Sequence, residues 1–126
     1  MLRFRRLAGS YGVVRFTPET SIPDWALKGE FSSITRTADE LSIVCPLQNF
    51  PEGMKSSLRW ICFKLEGPFA FSQTGVLLSF VQPLSDDGIP IFVISTYETD
   101  YVLVQEDFAA AALDILQKAG HEFSGK

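Results

Sequence analysis

The stretch from residue 64 to residue 100 constrains the fold most, because it reads as strand, glycine turn, helix and strand in close succession. Gly67-Pro68 interrupts the first strand, and Ser72 is a suitable N-cap because its hydroxyl oxygen can accept a bond from an orphan backbone N–H. Apolar residues then recur at helical spacing and predict one buried helix face: Val76, Leu77, Phe80, Val81 and Leu84. Gly88 is expected to end this helix before residues 89–94, an apolar run of strand length.

The second strand ends in a polar corner, Ser95-Thr96-Tyr97-Glu98-Thr99-Asp100. At the helix start, the backbone N–H groups of residues 71–75 would attract a carboxylate through unpaired donors and the helix dipole. Gly75 has no side chain and lets a ligand approach the backbone, while Asp100 would accept a hydrogen bond from an ammonium group. Ser42, on a strand of the first half, offers one more hydroxyl. These groups predict a site for a small zwitterion.

Each of these residues also has a purely structural interpretation. Ser72 would only cap the helix, and Gly75 would only pack against its neighbours. Asp100 would bond its own turn, and Ser42 would be a solvated strand position. The residues by themselves leave both interpretations open.

Composition excludes several classes of function. With 126 residues, of which 46% are hydrophobic and 13% aromatic, the chain has enough apolar surface for a packed interior. The net charge of −4 argues against nucleic acid as a partner, and no apolar run approaches the roughly 20 residues of a membrane helix. The first six residues lack the apolar core of a signal peptide, so we expect a cytoplasmic protein. Cys45 and Cys62 lie in apolar runs and are expected to be buried free thiols in a reducing cytosol.

The first half reads as four strands with little helix. Strands are expected at residues 2–7, 11–16, 31–36 and 41–45, with a turn or hairpin at Gly9-Ser10, one helical turn at residues 24–28 and a linker at residues 47–57. An echo at a shift of 60 residues lays Ile34-Thr35 on Ile94-Ser95, and the pairs around residues 40–44 on residues 100–104. The first half is therefore expected to be a reduced relative of the second, and too small to bury its sheet unaided.

The second half reads β-α-β-β-α with a short final strand at residues 121–123. Residues 59–65 are apolar on both faces and predict a central strand. The last helix has a stripe at 3 and 4 residue spacing: Phe108, Ala111, Ala112, Ile115, Leu116 and Ala119. Gly120 is expected to end it, and His121 is expected to be a surface group near its negative end. The predicted class is α+β, with the ferredoxin-like order βαββαβ.

Catalytic chemistry is hard to assemble from this sequence. His121 is the sole histidine, so a serine-based triad has no base, and the Cys and His count argues against a metal site. Gly67, Pro68 and Gly75 do not follow the spacing of a phosphate loop. Paired carboxylates lie at turns and helix ends, where capping and solvation account for them. We expect no enzyme, no metal and no cofactor.

Three segments resemble a known family. Residues 31–44, FSSITRTADELSIV, and residues 94–104, ISTYETDYVLV, look like the paired signatures of small tandem ACT-domain proteins, bacterial relatives of the cytosolic arginine-sensor (CASTOR) family. Residues 67–76, GPFAFSQTGV, resemble the strand-to-helix loop where ACT domains take their ligand. The resemblance covers roughly residues 11–120. It implies two ferredoxin-like ACT modules packed side by side, at residues 1–57 and 58–126, the first with a reduced helix.

The resemblance also implies a function and a set of site residues. An amino acid would be held at a module interface by loop, corner and partner-strand residues, carried over as Ser42, Ile43, Phe71, Ser72, Thr74, Gly75, Val76, Ser95, Thr96 and Asp100. The sensor has four modules and this chain two, so a homodimer is expected to complete the interface. The leading hypothesis is a regulatory module that binds a free amino acid. The alternative is an assembly module that docks onto another protein without any ligand.

Overall fold

The computed structural model describes residues 2–54, 58–66 and 75–125. The chain divides into two compact units: an N-terminal unit, Ala8–Trp60, and a C-terminal unit formed by Met1–Leu7 together with Ile61–Lys126. The secondary structure is mixed, with strands and helices alternating along the second half of the chain. The α+β class and the ferredoxin-like order are confirmed.

The N-terminal unit is a three-stranded antiparallel sheet covered by short 3-10 turns. Its strands are β2 (Tyr11–Phe16), β3 (Ser33–Arg36) and β4 (Leu41–Pro46), and β4 lies between the other two. The turns are Asp24–Leu27, Leu47–Asn49 and Glu52–Met54. The first turn is the expected helical remnant between strands.

The predicted linker is partly core. Leu47 and Phe50 are 5% exposed and pack with Ala26, Leu41, Ile43 and Cys45. The pattern of Pro51, Gly53 and serines suggested a solvated connection, but apolar side chains in a 3-10 turn can cover a sheet that lacks a long helix. Residues 55–57 lie outside the described residues.

The C-terminal unit carries the βαββαβ pattern. Its elements in chain order are β5 (Trp60–Leu65), α1 (Val76–Asp86), β6 (Phe92–Ser95), β7 (Asp100–Gln105), α2 (Ala109–Lys118) and β8 (Glu122–Phe123). A seventh element, β1 (Arg3–Arg6), comes from the start of the chain and pairs with both β5 and β8. The strand order in this unit is β8, β1, β5, β7, β6.

The expected hairpin at Gly9-Ser10 is a turn between strands that do not pair with each other. Gly9 has φ of 74°, which suits a glycine turn. However, β1 pairs antiparallel with β5, and β2 pairs with β4 along its whole length. Local composition predicts the strands and the turn, whereas strand partners depend on contacts that are distant in sequence.

Helix α1 follows its apolar periodicity. Phe80 and Leu84 are fully buried, and Leu77 and Val81 pack against the same core. Gly88 has φ of 79° and closes the helix as expected. The strand after it is shorter than the apolar run, because β6 begins at Phe92 while Ile89 is already a core residue.

Helix α2 (Ala109–Lys118) lies where the stripe and Gly120 predict it, but only part of the stripe is buried. Ala112 and Leu116 are fully buried, and Phe108 and Ile115 pack beside them. Ala111 and Ala119 are exposed, and Leu113 and Ala109 take the contacts expected of them. Alanine is small and occurs on both the buried and the exposed faces of a helix, so alanine positions alone define the buried face poorly.

The prediction that His121 is a surface group is wrong. The side chain is 6% exposed, its Nδ1 accepts a hydrogen bond from the Leu2 N–H at 3.1 Å, and its Nε2 lies 2.9 Å from the Ser79 carbonyl oxygen. Since a carbonyl can only accept, Nε2 carries the proton. Pro83 explains why Ser79 needs this donor: proline has no N–H to give to the carbonyl four residues before it. His121 therefore replaces a missing helical hydrogen bond.

Candidate functional site

The polar corner is the tight turn that joins β6 to β7. Ser95 faces Asp100 across the ladder, and the Thr96 N–H donates to the Thr99 carbonyl at 2.8 Å. The Thr96 hydroxyl donates to the same carbonyl at 3.1 Å. The corner is thus a hairpin whose hydroxyl and backbone groups hold its own shape.

Asp100 is the charged group of this corner. It is half-buried, and its Oδ1 accepts a short hydrogen bond from the Ser95 hydroxyl. No described residue donates a hydrogen bond to Oδ2. A carboxylate held by one hydroxyl keeps acceptor capacity for an ammonium group, since it has about four lone-pair sites. Ser95 therefore orients Asp100 without saturating it.

Thr99 was not among the predicted site residues, although it anchors the corner. It is 7% exposed, and its hydroxyl donates to the Leu65 carbonyl at 2.7 Å. Leu65 ends β5, two residues before the loop that the sequence predicts to contact ligand. The sequence carries a partial signal, because Thr99 directly precedes β7 and continuing the alternation of that strand points Thr99 away from Asp100.

Helix α1 begins without a side-chain cap. The N-cap position belongs to Gly75, whose φ of 76° is left-handed, and the first helical bond runs from the Ser79 N–H to the Gly75 carbonyl at 2.9 Å. A Cβ built on Gly75 meets nothing within 4 Å. The N–H groups of the first helical turn therefore have no side-chain cap from the N-cap residue.

Three predicted residues, Phe71, Ser72 and Thr74, lie outside the described residues. The N-cap of the described helix is Gly75 and not the expected Ser72. The left-handed conformation at this position is one that glycine adopts at low cost. Val76, the first helical residue, is half-buried.

Ser42 and Ile43 belong to the N-terminal unit. Ser42 is half-buried and pairs with Arg15 and Thr35 across the ladder. Ile43 is fully buried in the core of that unit. As neighbours on a strand, they point to opposite faces of the sheet.

The two units carry equivalent hairpins. In β3–β4, Ile34 pairs with Ile43 and Arg36 with Leu41; in β6–β7, Val93 pairs with Val102 and Ser95 with Asp100. The ladders superpose at a shift of 59 residues, so the shift of 60 read from the sequence is one residue too long. A shift of one residue exchanges the two faces of a strand.

The correct register shows that the two corners differ in chemistry. The position of Asp100 is taken by Leu41, which is fully buried, and that of Ser95 by Arg36. The Arg36 guanidinium donates to the carbonyls of Pro18 and Thr20. The C-terminal corner keeps a carboxylate and a hydroxyl, whereas the N-terminal corner has become structural.

Both cysteines are buried free thiols, as predicted. Burial raises the pKa of the Cys45 thiol to about 11, and a hydrogen bond with Asn49 offsets part of this. Within the described residues, no three His, Cys, Asp or Glu side chains are grouped so that they could hold a metal ion. A search of the same residues for a bilayer-spanning helix found none of sufficient length and apolarity.

A cleft of about 390 Å³ lies in the N-terminal unit, beside the Gly9 turn. Its described lining includes Ser10, Leu47 and Arg59, and none of the ten predicted site residues. The predicted site, which consists of the backbone amides at the start of α1 and the Asp100 carboxylate, therefore does not coincide with this cleft.

Comparison with models of known families identifies the family of this chain. The sequence model described as ACT domain matches residues 55–118, half of the chain. The chain belongs to the ACT-domain family. A second family model, described as an N-terminal domain, matches residues 9–53 of this ACT-domain chain. The resemblance noted in the sequence is confirmed.

Two mammalian proteins are similar in sequence to parts of this ACT-domain chain. The human protein CASTOR3P is 31% identical over 88 residues, which cover 60% of this chain and 54% of that protein. The cytosolic arginine sensor for mTORC1 subunit 1 of Bos taurus is 23% identical over 100 residues, covering 71% of this chain and 30% of the sensor. The chain thus spans about half the length of the first relative and less than a third of the second.

A crystal structure is similar over nearly the whole chain. It is that of a protein from Agrobacterium tumefaciens, with a TM-score of 0.88 and 46% identity. The match covers 97% of this chain and 91% of that protein. The fold of this chain is therefore similar, over nearly its whole length, to that of a protein of similar length.

Proposed function

We propose that this ACT-domain chain is a non-catalytic regulatory module that binds a free amino acid. The Asp100 carboxylate, oriented by Ser95, binds the α-ammonium group. The α-carboxylate is bound by the amides at the start of α1, after Gly75. The observation that supports this most is the Asp100 carboxylate, which has an orienting hydroxyl on one oxygen and acceptor capacity on the other.

Thr99 supports the convergence of these two groups. Its buried hydroxyl fixes the corner to the last residue of β5, and the chain leaves β5 for the loop that returns as α1. The ammonium group would then be bound by the corner, which is fixed to β5, and the carboxylate by the start of α1, the next helix after β5. Two or three charge-assisted bonds of about 1.5–3 kcal/mol each, with apolar contact, are enough for a micromolar site of roughly 8 kcal/mol.

The remaining proposed contacts come from Phe71, Ser72, Thr74, Val76 and Thr96, and from Ser42 and Ile43 of a second module. The buried position of Ile43 limits its contribution to its backbone groups. The match covers only 30% of the bovine sensor. We propose that a second copy of this chain supplies the partner module, so that the protein is a homodimer. The modules are proposed to divide at residues 57 and 58, and the buried thiols suit a reducing cytoplasm.

Substituting Asp100 by asparagine tests the ammonium end. Thermal-shift screening with the twenty amino acids should find at least one that stabilises the wild-type protein. Its affinity, measured by calorimetry, should fall by at least about tenfold in Asp100→Asn, since one charge-assisted bond of 1.4 kcal/mol or more is lost.

Glu98→Gln is the matched control, because Glu98 is an exposed acid of the same turn. Its binding should equal that of wild type. Unchanged affinity in Asp100→Asn, or an equal loss in both variants, would show that Asp100 does not hold the ligand.

The alternative function, an assembly module without ligand, is favoured by exposed apolar side chains near the site. Leu78 on α1 is 58% exposed, and Tyr97 at the tip of the corner is 80% exposed. Silence of all twenty amino acids in the thermal-shift screen would support this alternative.

A further inference from the structure

We propose a second ligand site in the C-terminal unit: the cleft between β1, β8 and the first turn of α2 binds a zwitterion with an apolar side chain. The cleft measures about 450 Å³, within the roughly 300–1,000 Å³ of small-molecule pockets. It is lined by Arg6, Phe63, Glu106, Ala109, Ala110, Leu113 and Phe123. None of these belongs to the proposed corner site, and the inference is independent of it.

The floor of the cleft is aromatic and held in place. The Phe4 ring packs edge-on against Phe63 at 5.5 Å and lies 5.3 Å from Phe123. Phe63 is 2% exposed and belongs to the main core of the unit. A floor fixed by three rings costs little further ordering when an apolar group binds on it.

The helix side of the cleft is shaped by small side chains. Ala109 and Ala110 open α2, and the adjoining Leu113 closes the apolar wall one turn further on. Alanine at both positions leaves room that longer side chains would fill. Ala110 is exposed, so its small size is not required by packing in the core.

The rim of the cleft carries one cation and one anion. Arg3 and Arg5 on β1 pair with Glu122 at 3.6 Å and Glu66 at 3.8 Å. Arg6, on the same strand, has no ion-pair partner within the described residues, and neither has Glu106 across the cleft. A guanidinium is suited to a carboxylate, and a carboxylate to an ammonium group. Arg6, Glu106 and the apolar floor together favour a ligand that carries a carboxylate, an ammonium group and an apolar side chain.

L-Phenylalanine is the probe, titrated into the Asp100→Asn protein so that binding at the corner site is weakened at least about tenfold. Chemical-shift changes at Phe63, Phe123 and Ala110 in NMR spectra should report binding. Ala110→Phe, which fills the cleft, should weaken binding at least tenfold, and Arg6→Gln should weaken it several-fold. Arg3→Gln is the matched control and should have no effect, because that arginine lies on the same strand but is already paired.

3-Phenylpropionate and phenethylamine separate the contributions of the two charges. Each lacks one charged group and should bind more weakly than phenylalanine. Absence of phenylalanine binding at millimolar concentration, or equal binding by Ala110→Phe, would overturn the site. Equal affinity for all three probes would overturn its assignment to a zwitterion. Loss of binding in Asp100→Asn relative to wild type, with Ala110→Phe unaffected, would assign the ligand to the corner instead.

Discussion

The buried His121 side chain allows a direct test of how α1 tolerates an internal proline. Replacing it by leucine keeps the apolar volume but removes both hydrogen bonds. The Ser79 carbonyl and the Leu2 N–H are then left without their partner at a site where the histidine was 6% exposed. An unpaired buried group costs about 1–3 kcal/mol.

The magnitude follows from how buried the two groups are. Leu2 is half-buried and Ser79 is exposed, so water can partly replace the imidazole at both groups, although the imidazole itself is buried. We therefore expect His121→Leu to lower the free energy of unfolding by about 2–4 kcal/mol. Urea unfolding followed by circular dichroism measures this, and an unchanged slope against urea would indicate that stability alone has changed.

Pro83 supplies the decisive comparison. In Pro83→Ala, the alanine N–H can bond the Ser79 carbonyl, so that the histidine donor is no longer needed there. His121→Leu should then cost about 1 kcal/mol less than it does in the presence of proline. If the two costs agree within about 0.3 kcal/mol, the sites are additive and the histidine does not compensate for the proline.

Two further predictions concern Thr99 and Cys45. Thr99→Val keeps the shape but removes the donor to Leu65, so stability should fall by about 1–2 kcal/mol, and amino-acid affinity should fall although the residue does not touch the ligand; unchanged affinity in calorimetry would refute its anchoring role. The raised pKa of Cys45 means that the folded protein disfavours the thiolate, so its contribution to stability is complete below pH 9 and is lost as the pH rises to about 11. Between pH 8 and 11, wild type should lose up to about 2–3 kcal/mol more than Cys45→Ala does in urea unfolding, and parallel losses would contradict this.

Helices were predicted well because their periodicity is local. Phe80 and Leu84 recur one turn apart and are both buried, and the glycine after each helix has positive φ. Where the pattern relied on alanine it was less reliable, since Ala111 and Ala119 proved exposed. A methyl group contributes too little apolar surface to decide which face of a helix is buried.

Strand partners and polar burial could not be read from the sequence. Nothing near Arg3–Arg6 indicates that this strand pairs with residues some 60 and 120 positions away. His121 was misjudged for a related reason, because its partners Leu2 and Ser79 are brought to it by tertiary structure. Of the predicted site residues, the structure brings Ser95, Thr96 and Asp100 together in one hairpin, and the buried hydroxyl of Thr99 beside them was not predicted.

The pairing of β1 has a consequence for synthesis on the ribosome. The Glu122 N–H donates to the Leu2 carbonyl at 2.7 Å, and the Ser124 N–H to the Phe4 carbonyl at the same distance. Residues 3–6 are translated before both strands that flank them, and β8 follows about 115 residues after β1. Until β5 is translated, β1 and its three arginines lack both strands that pair with it, whereas Ala8–Trp60, the unit encoded between β1 and β5, is translated without interruption.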